Sequence, residues 1–94
     1  MNKNYFKLEG KVCEVGELVH IERKGIPDLY KRVLTIETAD GQKLYPELRN
    51  QKLKLLDREQ IDVNSLVSIE YSFEGSEKNG KRYNNIYINS IKTI

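Results

Sequence analysis

Tyr30, Tyr45, Tyr83 and Tyr87 stand among cations in this chain, with Lys24, Lys31, Arg32, Arg49, Lys78, Lys81 and Arg82 nearby in sequence. An aromatic ring can stack on a planar base, and a cation can track a phosphate. Together these contacts can hold an extended single strand without reading its sequence. Each stacked base contributes roughly 1–3 kcal/mol by alanine substitution. Each neutralised phosphate adds about −0.7 to the salt slope. A few cations and one or two stacks therefore suffice for useful binding. Tyr45 and Tyr83 fit this role best, since each sits beside cations and outside the inferred apolar faces. Tyr87 reads instead as packing across to a neighbouring strand, with base stacking as the alternative.

Other chemistry finds little support. Glu9, Glu14, Glu17 and Glu22 crowd the first strand region without an acid–base pairing pattern. His20 is the one histidine, and its neighbours in sequence suggest no relay. Cys13 is the one cysteine, so no internal disulfide is available, and it reads as a small buried residue. One Cys and one His also argue against a conventional structural zinc site. No glycine-rich phosphate loop appears. The expectation is a non-enzymatic protein with no catalytic residues, metal or cofactor.

The 94 residues suit one domain, residues 1–94. Hydrophobic content of 38% and charged content of 32% fit a folded chain rather than a disordered one. No apolar run reaches membrane-spanning length, so no membrane partner is expected. Met1 to Phe6 lacks the apolar stretch of a signal peptide, which makes the cytoplasm the default location. The net charge of +2 is low for a dedicated duplex-DNA binder. Its distribution is uneven, with basic residues concentrated at 23–24, 31–32, 49–58 and 78–82.

Several short elements must position these side chains. Phe6, Leu8, Gly10 and Val12 share one parity, while Val15, Val19 and Ile21 fall on the other. That switch predicts a long first strand, 6–21, bent by a bulge. Gly10 and Gly16 leave room for close backbone approach. Residues 22–28 read as a loop. A second strand covers 29–38, with Leu34 and Ile36 inward and Lys31, Val33 and Thr35 outward. Asp40-Gly41 then signals a hairpin into a third strand over 42–49. Pro46 marks an edge or a bulge there. Asn50 is a credible N-cap for a helix over 51–60, whose apolar stripe is Leu53, Leu55 and Leu56. Val67, Ile69, Tyr71 and Phe73 alternate with polar residues, which predicts a half-buried strand with all four on its core side. Glu74 to Arg82 reads as a charged loop before a last strand, 82–94, where Ile91 shifts parity and implies a second bulge.

Three strands, a short helix and two strands, in that order, predict a mainly β, five-stranded Greek-key barrel of the OB-fold type. Its helix falls between strands 3 and 4. The residues Leu8-Glu9-Gly10-Lys11-Val12, Val33 to Thr38, Lys78-Asn79-Gly80-Lys81-Arg82-Tyr83 and Ile86-Tyr87-Ile88-Asn89-Ser90-Ile91 carry a resemblance. In order and spacing the chain resembles a small bacterial family of single-stranded-DNA-binding-like OB-fold proteins. That resemblance implies binding of single-stranded DNA without catalysis. The candidate site residues, taken from the tyrosines and cations above, are Lys24, Tyr30, Lys31, Arg32, Tyr45, Arg49, Lys78, Lys81, Arg82 and Tyr83. The same chemistry serves RNA. Outward Tyr and Asn on the last strand, with Pro46 at an edge, leave surface for a homo-oligomer contact. The competing expectation is a protein-interaction or assembly barrel, favoured by the absence of Trp and the near-neutral charge.

Overall fold

Seven strands and one short helix make up residues 4–94, the part of the chain that the computed structural model describes. The strands are β1 (Phe6–Val15), β2 (Val19–Ile21), β3 (Leu29–Glu37), β4 (Lys43–Leu44), β5 (Glu47–Arg49), β6 (Leu66–Lys78) and β7 (Lys81–Thr93). A 3-10 turn, Asn50–Leu53, leads into the helix α1 (Lys54–Arg58). The leader expectation rests partly on residues 1–3, which lie outside the described residues. Among the described residues no helix is long and apolar enough to cross a membrane.

Five strands close a barrel. The hydrogen-bonded path runs β1–β6–β7–β5–β3, and β3 pairs back onto β1. β2 and β4 are short additions to β3. The β5–β7 contact is parallel, Glu47 opposite Tyr87. Parallel neighbours cannot be joined by a tight turn. The chain therefore crosses through the helix and β6 before β7 returns beside β5, which is the Greek-key connection.

The predicted long strands are divided for physical reasons. The first breaks at 16–18 into β1 and β2. Its bulge falls at Cys13, where the β1–β3 register shifts between Val12 and Glu14. Cys13 is consequently half-buried at that bulge, rather than buried. The third predicted strand divides at Tyr45-Pro46, leaving β4 and β5. Pro46 is fully buried, so it marks the break and not an exposed edge for a subunit contact. Its carbonyl still accepts from the Leu34 N–H at 2.9 Å. With these divisions the helix follows the fifth strand segment of the chain, rather than the third. In β7 the register slips by one residue where Glu70 pairs Ser90 and Tyr71 pairs Ile88. That slip is the expected late bulge.

The core collects Val12, Leu34, Ile36, Leu48, Ile61, Val67, Ile69, Ile88 and Ile91, with Leu53, Leu55 and Leu56 packed against it. Period-two burial on β3 and β6 puts alternate residues inside, as a one-sided barrel wall requires. The helix is only five residues long. Such a segment has no stability alone and depends on that packing. Asn50 does not cap it: Asn50 Oδ1 accepts the Tyr30 backbone N–H at 3.0 Å, tying the helix approach to β3.

Candidate nucleic-acid interface

Outward parity on three neighbouring strands builds the main concave surface. Lys31 on β3 faces Arg49 on β5 as a direct cross-strand pair, and Glu47 on β5 faces Tyr87 on β7. Two like charges directly opposite each other are unfavourable. Glu47 relieves this: its Oε1 lies 3.3 Å from Lys31 Nζ and 3.7 Å from Arg49 Nε. The Arg49 guanidinium carbon sits 4.9 Å from the centre of the Tyr87 ring. A groove of about 250 Å³ over this face is also lined by Tyr5, Lys52, Glu74 and Asn89. Asn89 Nδ2 donates to Glu70 Oε1 at 2.8 Å, which occupies one more carboxylate of the face. Arg49 Nε is buried without a hydrogen-bond partner. The groove thus offers a cation–aromatic stack with Lys52 beside it and Lys31 paired to its Glu47, and its charge is moderated by Glu47 and Glu74.

A second cationic group lies at the end of an arm. The expected loop 74–82 is a two-stranded ribbon. β6 continues to Lys78, β7 begins at Lys81, and pairing runs without a gap from Phe73–Ile86 to Lys78–Lys81. Only Asn79 and Gly80 turn the chain, with φ of 53° and 79°. Two positive φ values in a two-residue turn fit the twist of a hairpin, and Asn-Gly adopts them readily. β1 pairs β6 no further than Tyr71, so the ribbon beyond it is unpaired on that side. Lys78, Lys81 and Arg82 cluster at the tip, with Tyr83 behind them, 47% exposed. Arg82 Nε donates to Glu77 Oε2 at 3.2 Å, and both side chains are largely exposed.

The third group is the corner between β2 and β3. His20 faces Tyr30 across the two strands, and their rings stack at 4.3 Å with an interplanar angle of 7°. His20 Nε2 also hydrogen-bonds Asp28 Oδ2 at 2.8 Å, a partner that reading along the sequence did not suggest. Arg23 donates twice to the Pro27 carbonyl, at 2.9 and 2.7 Å, and so staples the loop that carries exposed Lys24. The hydrogen bond from His20 is the main cause holding the Asp28 carboxyl below its ordinary range, against a smaller desolvation effect. A carboxyl lowered in the folded state stabilises the fold above the unfolded pKa of about 3.9. That contribution is lost as pH falls through the folded value. Asp28→Asn should therefore melt below wild type at about pH 5, and the margin should shrink toward pH 2. Thermal melts followed by circular dichroism across that range check it.

The expected site residues fall into three local groups. Lys31 and Arg49 meet at Glu47; Lys78, Lys81, Arg82 and Tyr83 share the arm; Lys24 and Tyr30 share the corner. Tyr45 is 58% exposed on the connection between β4 and β5. Arg32 has the opposite parity to Lys31. It donates to the Gly16 carbonyl at 2.8 Å and lines a different groove, with Leu53 and Leu56, so its first duty is structural. Glu47 and Lys52 were not among the expected residues. Glu47 shares outward parity with Arg49, which was legible; its contact with Lys31 needed the strand register. Phe73 departs from expectation most clearly. Strand alternation places it in the core, yet it is 56% exposed and stacks on Phe6 at 5.0 Å and 9°. The reason is that β6 outruns the barrel, so its inward face has no opposite wall beyond Tyr71.

No protein-family model matches the chain, and no curated protein matches its sequence. Solved structures do share its fold. A mitochondrial single-stranded DNA-binding protein from S. cerevisiae, Rim1, is similar at 11% identity and TM-score 0.67, over 99% of this chain and 97% of that one. The N-terminal domain of the PriB protein from Thermoanaerobacter tencongensis, a dimeric structure, is similar at 19% identity and TM-score 0.54, over 97% and 96%. A small single-stranded DNA-binding protein from Streptomyces coelicolor is similar at 11% identity and TM-score 0.53, over 100% and 96%. At these identities the likeness is one of fold: the chain has the OB-type barrel of these proteins along nearly its whole length.

Proposed function

We propose that this chain is a non-enzymatic OB-fold protein that binds single-stranded DNA with low sequence selectivity. The observation that carries this proposal is the Arg49–Tyr87 stack, with Lys31 and Lys52 beside it on the outer barrel face. A guanidinium resting on an aromatic ring presents a flat cationic surface for a base, and neighbouring ammonium groups suit phosphates. From that groove the strand reaches the arm, where Lys78, Lys81, Arg82 and Tyr83 contact it. Lys24, Tyr30 and Tyr45 extend the track on the other side. None of these contacts reads a base edge, which is why selectivity is low; RNA fits the same track. Two of the similar folds belong to proteins described as single-stranded-DNA-binding, which supports the choice of ligand. A cytoplasmic location goes with this role.

The chain acts as a homo-oligomer in the same proposal. Phe6 and Phe73 form an exposed stacked pair beside the unpaired stretch of β6, and a second copy would cover it. The dimeric PriB domain shows that a related barrel can pair. The same patch favours the second reading, an assembly barrel that binds protein and not nucleic acid.

Fluorescence anisotropy with labelled oligo-dT at two salt concentrations, run alongside sedimentation of the free protein, separates the two. Binding in the micromolar range that weakens with salt, by an oligomer, is expected. An oligomer with no binding at tens of micromolar in low salt leaves the assembly reading in place.

A further inference from the structure

We infer that Glu47 competes with the backbone phosphate of a bound strand for Lys31 and Arg49, and so sets the affinity of the outer-face groove. This rests on the single-strand-binding function proposed above. The geometry is specific. One carboxylate oxygen, Oε1, serves both cations, at 3.3 and 3.7 Å. The Glu47 side chain is only 12% exposed, held on β5 between its partners. A phosphodiester oxygen is an acceptor of the same charge, so carboxylate and phosphate are alternative partners for the same two cations.

Glu47 also leaves its cations incompletely satisfied. Arg49 Nε is buried with no hydrogen-bond partner, because 3.7 Å is an ion-pair distance and not a hydrogen bond. The guanidinium carbon also lies 4.9 Å from the Tyr87 ring centre, so Glu47 is not the one group that holds it. Lys31 and Arg49 therefore remain able to turn to a stronger anion, but only against an internal rival. The other carboxylates nearby are placed differently. Glu74 lines the groove, and Glu70 is engaged by Asn89.

Replacing the carboxylate with an amide of the same shape should free both cations. A slope of −0.7 per phosphate contact corresponds to about 5-fold in affinity per freed cation at 0.1 M salt. Glu47→Gln should thus bind oligo-dT about 5- to 25-fold more tightly than wild type, with a salt slope steeper by about 0.7 to 1.4. Glu47→Asp keeps the charge but draws it back by one methylene, so its affinity and slope should fall between those of wild type and Glu47→Gln. Adding Lys31→Met to Glu47→Gln should remove part of the gain, which traces it to this pair. Melting curves on each variant establish that the barrel is folded, since the amide leaves Lys31 and Arg49 facing each other.

The test is anisotropy titration of the full chain and these variants with oligo-dT and oligo-dC over a salt series. Tighter and steeper binding by Glu47→Gln on both oligomers supports the inference. Equal affinity and slope overturn it while leaving the single-strand-binding function standing. Weaker binding confined to oligo-dC also overturns it, because the carboxylate would then be accepting from the cytosine amino group. No binding by any folded variant, wild type included, removes the function and the inference together.

Discussion

A chain carrying Lys78→Glu, Lys81→Glu and Arg82→Glu together is expected to bind oligo-dT about 100-fold more weakly than wild type at 0.1 M salt. Three lost phosphate contacts remove about 2 from the salt slope, at roughly 0.7 each. The loss should be specific to binding. All three residues lie at the exposed tip of the ribbon, and Asn79-Gly80, which sets the turn, is untouched. The Arg82–Glu77 pair is too exposed to contribute much to stability. Surface changes of this kind typically stay within about 0.5 kcal/mol. Anisotropy titration across a salt series, with a melting curve as control, checks both halves. Wild-type affinity and slope in the triple variant would mean that the arm does not touch the strand.

Gly10→Ala and Gly16→Ala should each destabilise the barrel by about 2–3 kcal/mol, the upper part of the range for overpacking. Both residues lie along the β1–β3 seam that closes it. A Cβ at Gly10 would stand 2.7 Å from the Glu37 carbonyl oxygen and 2.7 Å from Ile36 Cγ2. At Gly16 it would stand 2.5 Å from the Val33 carbonyl oxygen, the same atom that accepts the Gly16 N–H. Backbone atoms cannot swing aside as a flexible side chain can, so the seam must open. For a domain of this size the cost corresponds to a drop in Tm of about 10–20 °C. Alanine at Gly25, where nothing lies within 4 Å, provides the contrast: its cost comes from the positive φ of 81° alone. Thermal unfolding of the three variants ranks them, and a Gly16→Ala protein melting with wild type would show that the seam tolerates a side chain.

Much of the barrel was legible because short-range physics writes it. The parity switch between Val12 and Val15 announced the bulge at Cys13, and the shift at Ile91 announced the slip in β7. Alternation placed Leu34, Ile36, Val67 and Ile69 inside, and Asp40-Gly41 marked its hairpin. The failures share one cause. Phe73 continues the alternation of β6, and alternation cannot tell where the opposite wall ends. Glu74 to Arg82 looked like a loop because charged residues and glycine are common in loops, yet cross-strand pairing absorbs them into a ribbon. Asn50 has the composition of a cap, but its side chain accepts from the Tyr30 N–H across the fold.

The residue types, their parity and their turn chemistry were determined by the sequence alone, and with them the strand order and the supply of tyrosines and cations. Each of these depends on neighbours a few positions apart. Tertiary structure alone decided which charges meet. Lys31 and Arg49 are 18 positions apart, and only the β3–β5 register brings them opposite each other with Glu47 between. The same closure set Arg49 on Tyr87 through a parallel contact. An ion pair depends on distances of a few ångströms, and in a barrel those distances are set by strand register rather than by position along the chain.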